Sequence, residues 1–298
     1  RLRSLLVSGE IGLALVLLVA TGLMISSIIH LQSYDLGFNS KNVTVAQFDL
    51  TSERYRKVAP KRDIDMHYVK PAVSLFIEHT LRELRALPGV EYAALTGGVP
   101  MGPREAPGVS VQIVGRSSAE PNRRFAQFNP VTSQFFEALK IPLRQGRYIQ
   151  NRDVDSTAWV AVVNEAFTRE FFPDGDALGQ VVMLSGGPDE KPREIVGIIA
   201  DHTQFTPKFP PQPEVFTSYF QQTDEIRGNF QGIRFRPRMI VRSKVAETPS
   251  PEAVSKIVSG FDKDIGAFDV RPLNWHIVTN GGIVYFYANL LGLFSGIA

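Results

Sequence analysis

The apolar and polar positions of this chain follow three successive patterns. The first is Ile11 to Ile29, IGLALVLLVATGLMISSII, an apolar run with no charged residue. Its nineteen residues, at about 1.5 Å each, cover roughly 28 Å, close to the ~30 Å hydrocarbon core of a bilayer. The run therefore predicts a membrane-spanning helix. A secretory signal would carry a shorter apolar core and a small-x-small cleavage site, of which Ser26 and Ser27 offer only a weak version. Glu10 sits at the helix mouth, where it can reach the interface at a lower cost than at the midplane. Arg1 and Arg3 precede the run and only Asp35 is charged between His30 and Phe38, so the positive-inside rule places the N-terminus in the cytoplasm. The last pattern repeats the first in a cut-off form. No Asp, Glu, Lys or Arg follows Arg271, and Ile283 to Ala298 reads as the start of a second apolar helix, with Tyr285 and Tyr287 suited to an interfacial belt. A chain that opens on Arg1 and stops inside this run is expected to be a fragment of a longer membrane protein.

The middle pattern, roughly 240 residues long, is globular and large enough for one large or two modest cores. Asn42 to Leu50 alternates with period two, the mark of a half-buried strand. A charged run, Thr51 to Asp65, is expected as a loop. The helix that follows is marked by Val73, Ile77, Leu81 and Leu84, with Pro71 tolerated in its first turn and Leu87-Pro88-Gly89 at its end. Val90 to Leu95 is a second strand, completing β-α-β. The Gly- and Pro-rich stretch Gly97 to Gly108 marks an insertion point. Beyond it, Val109 to Val114 and Phe125 to Phe128 read as strands, with Thr132 or Ser133 capping a short helix through Phe135, Phe136 and Leu139. IPLRQGRYI reads as turns. Val160 to Val163 is a buried strand leading to Asn164, the expected N-cap of a helix that carries Phe167 and Phe171 and stops at Pro173-Asp174-Gly175. Val181 to Leu184 and Glu194 to Ile199 complete a strand-rich module. TPKFPPQP, from Thr206 to Pro213, is too proline-rich for regular structure and reads as a return linker. Val215 to Phe220 and Arg238 to Arg242 are strands, Ser250-Pro251-Glu252 starts a helix buried through Val254, Ile257, Val258 and Phe261, and Val270 to Leu273 is the final strand.

The expected class is α+β. Residues 1–30 form the cytoplasmic flank and first membrane helix; 42–104 and 214–273 form one subdomain of two β-α-β halves; 105–205 form an inserted strand-rich subdomain; 283–298 open a truncated second membrane helix.

Composition narrows the function. A net charge of +2 and the lack of a basic run interleaved with aromatics exclude a nucleic-acid surface. The absence of cysteine excludes disulfides and thiolate metal sites. No GxxxxGK[ST], GxSxG or HExxH string occurs. His30, His67, His79, His202 and His276 are scattered singly, and Asp201-His202, an acid/base pair on paper, would point to opposite faces of an extended chain. The pairs Asp153/Asp155, Asp174/Asp176 and Asp262/Asp264 lack the remaining ligands of a calcium loop and read as solvated turns. Tyr92, Phe128, Phe205 and Phe230 are apolar-surface candidates, although aromatics in a domain of this size are usually core. Gly22 and Ser26 form a small-xxx-small pair, a candidate contact with another membrane helix.

Several stretches taken together resemble the ABC-transporter permeases with a MacB-like periplasmic core domain, the group that includes FtsX-like permeases. They are SLLVSGEIGLALVLLVATGLMISSIIHLQSYDLGFNSKNV, LRELRALPGVEYAALTGGVPMG, FEALKIPLRQGRYI, VAVVNEAFTREFFPDGDALGQ, EIVGIIADHT and PEVFTSYFQ, in the family's order across nearly the whole chain. The resemblance implies a porter-like periplasmic subdomain built from both ends of the region, no catalytic, cofactor-binding or metal residue on this chain, and a cytoplasmic ABC ATPase subunit that binds ATP and Mg. It also implies a second permease copy or homologous half, a periplasmic adaptor as a further partner, the lipid bilayer of the bacterial inner membrane as the setting, and export or release of a substrate by mechanical transmission. The chain departs from the full pattern in lacking the ATPase, the later membrane helices and a basic residue where Tyr285-Phe286-Tyr287 stands. A membrane-tethered sensor or binding module shares the same plan of helix, domain and helix.

Overall fold

The computed structural model describes residues 9, 12, 14–16, 18–22, 35–48, 50, 55–58, 66–68, 70–102, 108–116, 124–185, 190–205, 209–222, 229–230, 233–234, 238–245, 249–265 and 267–280. Among them, no helix is long and apolar enough to cross a membrane. Residues 12, 14–16 and 18–22 are helical, and Leu15, Val16, Leu18 and Val19 leave more than half of their surface uncovered. The span expected over Ile11 to Ile29 lies partly outside the described residues, and Ile283 to Ala298 lies wholly outside them.

In chain order the elements begin with β1 (Val43–Phe48), β2 (Arg56–Val58), β3 (Met66–Tyr68), α1 (Lys70–Ala86) and β4 (Val90–Thr96). Next come β5 (Gly108–Ile113), β6 (Phe125–Val131), α2 (Phe135–Leu139), β7 (Leu143–Gly146), β8 (Trp159–Asn164), α3 (Glu165–Phe171), β9 (Val181–Leu184) and β10 (Arg193–Ile199). The chain continues through β11 (Glu214–Ser218), β12 (Asn229–Phe230), β13 (Ile233–Arg234), β14 (Arg238–Ser243), α4 (Pro251–Phe261), β15 (Ala267–Pro272) and α5 (Leu273–Asn280).

The two β-α-β units expected from periodicity interlock. The strands run in the order β4-β14-β1-β15, all antiparallel, so each unit has one strand of the other inserted between its own two. Helices α1 and α4 pack side by side over one face. Their apolar stripes, Val73, Ile77, Leu81 and Leu84 from α1 and Val254 and Val258 from α4, meet Ala46, Phe48, Ala93, Leu95, Met239 and Val241 of the sheet. Ile257 and Phe261 pack at the margin of the same cluster. Ser250 caps α4 as expected, its side chain accepting from Ala253 N–H, with proline in the first turn.

The inserted module closes on itself. β11, β8, β10, β9, β5 and β6 pair in that order, and β6 returns to β11, giving a six-stranded barrel with β7 added on β10. Its interior holds Val109, Val111, Phe128, Ala161, Val163 and Val215, and Phe167, Phe171 and Phe172 pack against them. Alternate residues of the same strands, Val162 and Phe216, turn outward and join a second core with Val43, Val45, Ala94 and Ile240 from the other face of the β4-β14-β1-β15 sheet. Phe135, Phe136 and Leu139 of α2 wedge into this second core.

This wedge explains the largest departures from the sequence reading. β1 was expected to bury one face, yet all six residues are buried, because helices cover one side and the barrel and α2 cover the other. β11 pairs with β6 and β8, so the chain returns to the interlocked sheet only at β14 and not at residue 214. IPLRQGRYI contains β7, since Gly146 can lie directly against Gly197 of β10. β6 runs beyond Phe128 through Pro130, whose carbonyl accepts from Gly97 N–H at 2.9 Å. Neither Thr132 nor Ser133 caps α2. Gln134 holds that position at φ 72° without a side-chain cap, while Thr132 Oγ1 accepts from Leu95 N–H at 2.8 Å and ties the module to β4. The charged run expected as a loop contains β2, which pairs with β3.

Candidate functional site

The interlocked sheet and the barrel meet along a seam where, among the described residues, β4 and β6 pair in ladder fashion at Thr96 with Val131. Two groups of residues hold the seam, and both touch the segment through which the chain enters the domain.

The first group is main-chain. Asp35 Oδ1 accepts from Gly37 N–H at 2.9 Å, which turns the entering chain, and Gly37 has φ +73°. That turn lays Leu36 and Gly37 on the strand-to-loop segment after β10: Thr203 N–H donates to Leu36 O at 2.8 Å. On the other side, Asn39 N–H donates to Leu139 O at 2.8 Å, at the end of α2. Arg242 of β14 closes the arrangement. It is 3% exposed, and its guanidinium donates to Ala138 O, to Lys41 O at 2.7 Å and to Asn39 O. Burial lowers its pKa from the ordinary arginine value, opposed by the nearby Glu91 carboxylate. A fork of donors meeting three main-chain carbonyls is the task guanidinium geometry suits. Residues 35–42 are thus gripped at once by the post-β10 loop, by α2 and by β14.

The second group is polar and buried. His202 Nε2 lies 3.2 Å from Glu214 Oε2, and each residue is 3% exposed. Gln204 Nε2 donates to the same carboxylate at 3.0 Å and to Gln212 O at 2.7 Å, and Asn129 Nδ2 reaches Glu214 Oε1 at 3.4 Å. Asn129 continues the chain of contacts to β4: its Nδ2 donates to Gly98 O at 3.1 Å, and its Oδ1 accepts from Gly98 N–H at 3.0 Å and lies 3.0 Å from Thr96 Oγ1. Met101 N–H donates to Gln204 O at 2.7 Å. Charged and amide groups this deep are stabilised only by such mutual satisfaction. His202 Nδ1 is the exception, buried without a hydrogen-bond partner. Among the described residues, the cleft beside the cluster measures about 20 Å³, enough for a single water.

The structure separates Asp201 from His202 as adjacent strand-end residues must be. Asp201 Oδ1 accepts from Ala166 N–H at the start of α3 and its other oxygen meets Arg169 at 2.5 Å, while His202 turns into the seam. Asn164 caps α3 as expected, accepting from Phe167 N–H at 3.0 Å; the same oxygen accepts from Glu214 N–H at 2.9 Å. The acidic pairs serve local structure. Asp153 is held by Arg147 through two bonds, Asp155 meets Lys191 at 3.3 Å, and Asp262 accepts from Tyr55 at 2.7 Å and from Asp264 N–H at 3.0 Å. Asp174 and Asp176 are exposed, as expected for a turn. Among the described residues, no three His, Cys, Asp or Glu side chains gather as a metal site would require. His79 packs on Phe261 with ring centroids 4.8 Å apart, and His276 is buried; His30 lies outside the described residues, and so does the side chain of His67. Phe128 is barrel core, Tyr92 packs at the margin of the second core, Phe205 lines the seam cleft, and the side chain of Phe230 lies outside the described residues. Gly22 is helical with nothing within 4 Å of where a Cβ would stand, and its expected companion Ser26 lies outside the described residues.

Sequence reading did not single out Arg242, Glu214, Gln204 or Asn129. The available signal was a polar residue interrupting or bounding an apolar strand: Asn129 in FAQFNPV, Glu214 before VFTS, and Arg242 after MIV.

Over 83 residues, 28% of this chain, the sequence is 31% identical to an uncharacterized ABC transporter permease, YvrN, of Bacillus subtilis (strain 168). Over 82 residues, 27% of this chain, it is 29% identical to the macrolide export ATP-binding/permease protein MacB of Mannheimia succiniciproducens. These matches span 19% and 12% of those proteins' own lengths. The periplasmic region of MacB from Actinobacillus actinomycetemcomitans superposes with a TM-score of 0.46 at 14% identity, covering 78% of this chain and 90% of that one. The family model for the MacB-like periplasmic core domain matches residues 12–259, more than four fifths of the chain, and the chain belongs to that family.

Proposed function

We propose that this chain is the periplasmic core of an ABC-transporter permease of the bacterial inner membrane, with its N-terminus in the cytoplasm and residues 11–29 and 283–298 in the bilayer. It is a non-catalytic subunit. ATP and Mg are bound by a separate cytoplasmic ABC ATPase, whose hydrolysis moves the membrane helices; the periplasmic domain receives that motion and passes it on to export or release a substrate. A second permease copy and a periplasmic adaptor complete the assembly. The porter-like subdomain comprises 42–104 and the part of 214–273 that follows β11, and the barrel is the inserted subdomain.

The observation that supports this reading is the grip on residues 35–42. Leu36 is bonded to Thr203 beyond the barrel, Asn39 to Leu139 in α2, and Asn39 and Lys41 to Arg242 in the interlocked sheet. A displacement of the entering chain is therefore delivered to both parts of the domain together, through hydrogen bonds to rigid elements and not through a flexible linker. The two-core arrangement suits this role, because a close-packed interior passes on strain instead of absorbing it.

The test is to isolate the natural full-length protein from membranes in detergent, identify what accompanies it by mass spectrometry, and assay ATP hydrolysis. Co-purification of an ATP-binding subunit, with hydrolysis lost when its nucleotide site is broken, is the expected result. Co-purification of signalling proteins without an ATPase overturns the reading in favour of a tethered receptor.

A further inference from the structure

The antiparallel register gathers several strand ends at one end of the interlocked sheet. Thr44 at the start of β1 pairs with Pro272 at the end of β15, and Val43 pairs with Arg242 near the end of β14. The chain enters the domain at this end through residues 35–42 and leaves it through α5. Between entry and exit lies a groove of about 320 Å³, lined by Ser40 to Thr44, Pro272 and Asn274. Five of these seven residues carry hydrogen-bonding side chains and none is acidic. Lys41 and Asn274 are exposed; one donor of the Asn42 amide is committed to Lys244 O at 3.2 Å. The Arg242 guanidinium donates to Lys41 O and holds this part of the lining in place.

Beside the groove the surface changes character. Trp275 of α5 is 40% exposed, and the Arg271 guanidinium stacks 3.9 Å from its ring centroid. Val245 is 64% exposed next to Lys244. Of the acidic groups at this end, Asp269 is paired with Arg271 at 2.6 Å, Asp35 is bonded to the backbone of Gly37, and the Glu91 carboxylate lies near Arg242. Cationic and amide donors around a cavity, bordered by an amphipathic indole and an exposed aliphatic residue, fit a ligand that is anionic at one point and apolar beyond it.

We propose that this groove binds the phosphate headgroup of an anionic phospholipid in the leaflet facing the domain. The assignment rests on the membrane-anchored reading above, because that reading turns the end carrying residues 35–42 and α5 toward the bilayer. Lys41 supplies the charge, with Ser40, Asn42 and Asn274 as hydrogen-bonding partners for phosphate oxygens. Trp275, with Arg271 against its face, lies at the headgroup level, where indoles settle at membrane interfaces.

The experiment uses the natural full-length protein in nanodiscs of equal phosphatidylglycerol and phosphatidylcholine, with bound lipid counted by native mass spectrometry. The expected result is enrichment of phosphatidylglycerol that falls about fivefold in Lys41→Gln, the factor one cation contributes near an anionic surface. Trp275 emission, taken as the difference between wild type and Trp275→Phe, is expected to be quenched by a headgroup-labelled lipid more strongly than by one labelled deep in its acyl chain. Equal retention of the two lipids overturns the assignment. So does binding of free glycerol 3-phosphate by the detergent-solubilised protein without lipid preference in nanodiscs, which would make the phosphate a soluble one. Alkaline carbonate extraction separates the two failures. A protein released by carbonate refutes the membrane-anchored reading itself, whereas one retained in the membrane without phosphatidylglycerol preference refutes the groove alone.

Discussion

Gly37 lies directly against His202: a Cβ built on Gly37 would stand 2.8 Å from His202 Cα and 2.4 Å from the Asp201 carbonyl oxygen. Real Cβ atoms do not approach backbone so closely, and the glycine also holds φ +73°. The entering chain is thus seated on the loop that carries the buried histidine, with no side chain between them. Sequence position alone would not couple these two residues; the seam does.

Gly37→Ala should therefore cost far more than the usual glycine substitution. Left-handed backbone alone costs about 1–2 kcal/mol, and the displacement of main chain brings the expected loss to about 2–4 kcal/mol. Gly115→Ala is the control. Gly115 holds φ +87° with nothing within 4 Å of its would-be Cβ, so only the backbone strain applies, about 1–2 kcal/mol. Denaturant unfolding of the two variants side by side checks this; equal losses would show that the contact with His202 is not tight.

Arg242 offers a second test of the same segment. Arg242→Met removes the donors from three carbonyls in a buried place, for an expected loss of about 2–4 kcal/mol. Arg242→Lys should recover only part of it, because one ammonium cannot span the positions of Ala138, Lys41 and Asn39 as a planar fork does. Hydrogen exchange should show faster opening at Asn39 N–H, which donates to Leu139 O. Unchanged protection there would mean that Arg242 does not hold the entry segment.

Much of the fold was legible where local rules act alone. The caps at Asn164 and Ser250 and the apolar stripes of α1 and α4 followed from residue type and spacing, since a cap needs only its own helix and a stripe only one buried face. What escaped depends on pairing between distant residues. Thr132 looked like a cap and instead serves β4; Glu214 and Asn129, each just outside an expected strand, satisfy each other across 85 positions. Barrel closure through β6 and β11 likewise leaves no period in the sequence. The Asp201-His202 alternation was readable, because opposite faces follow from extended backbone, but the partner His202 finds was not.

His276 gives the protein a pH dependence whose sign is fixed by its surroundings. Burial lowers its pKa from 6.5, helped by Arg238 and Arg271 and opposed by Asp269. The unfolded chain therefore binds a proton at a pH where the folded chain does not, and stability rises with pH through the window below about 6.5. His276→Phe should flatten that part of the profile. The check is the melting temperature of wild type and variant from pH 5 to pH 8: the difference between them should change below about pH 6.5 and be constant above it. Parallel profiles would assign the pH dependence to other groups.

Glu214 is the residue on which the seam's polar cluster converges, and two replacements separate its charge from its shape. His202 Nε2, Gln204 Nε2 and Asn129 Nδ2 all face its carboxylate, at 3.2, 3.0 and 3.4 Å. Glu214→Leu keeps the bulk and strands those donors in a place water scarcely reaches, so the expected loss is about 3–5 kcal/mol. Glu214→Gln retains one carbonyl oxygen. With that oxygen left to accept from His202 and Gln204, its amide nitrogen stands where Oε1 was and opposes only Asn129 Nδ2, the longest of the three contacts. The cost should fall to about 1–2 kcal/mol. Denaturant unfolding ranks the two. A Glu214→Gln protein as unstable as Glu214→Leu would show that the seam depends on the carboxylate charge and not on hydrogen-bond complementarity.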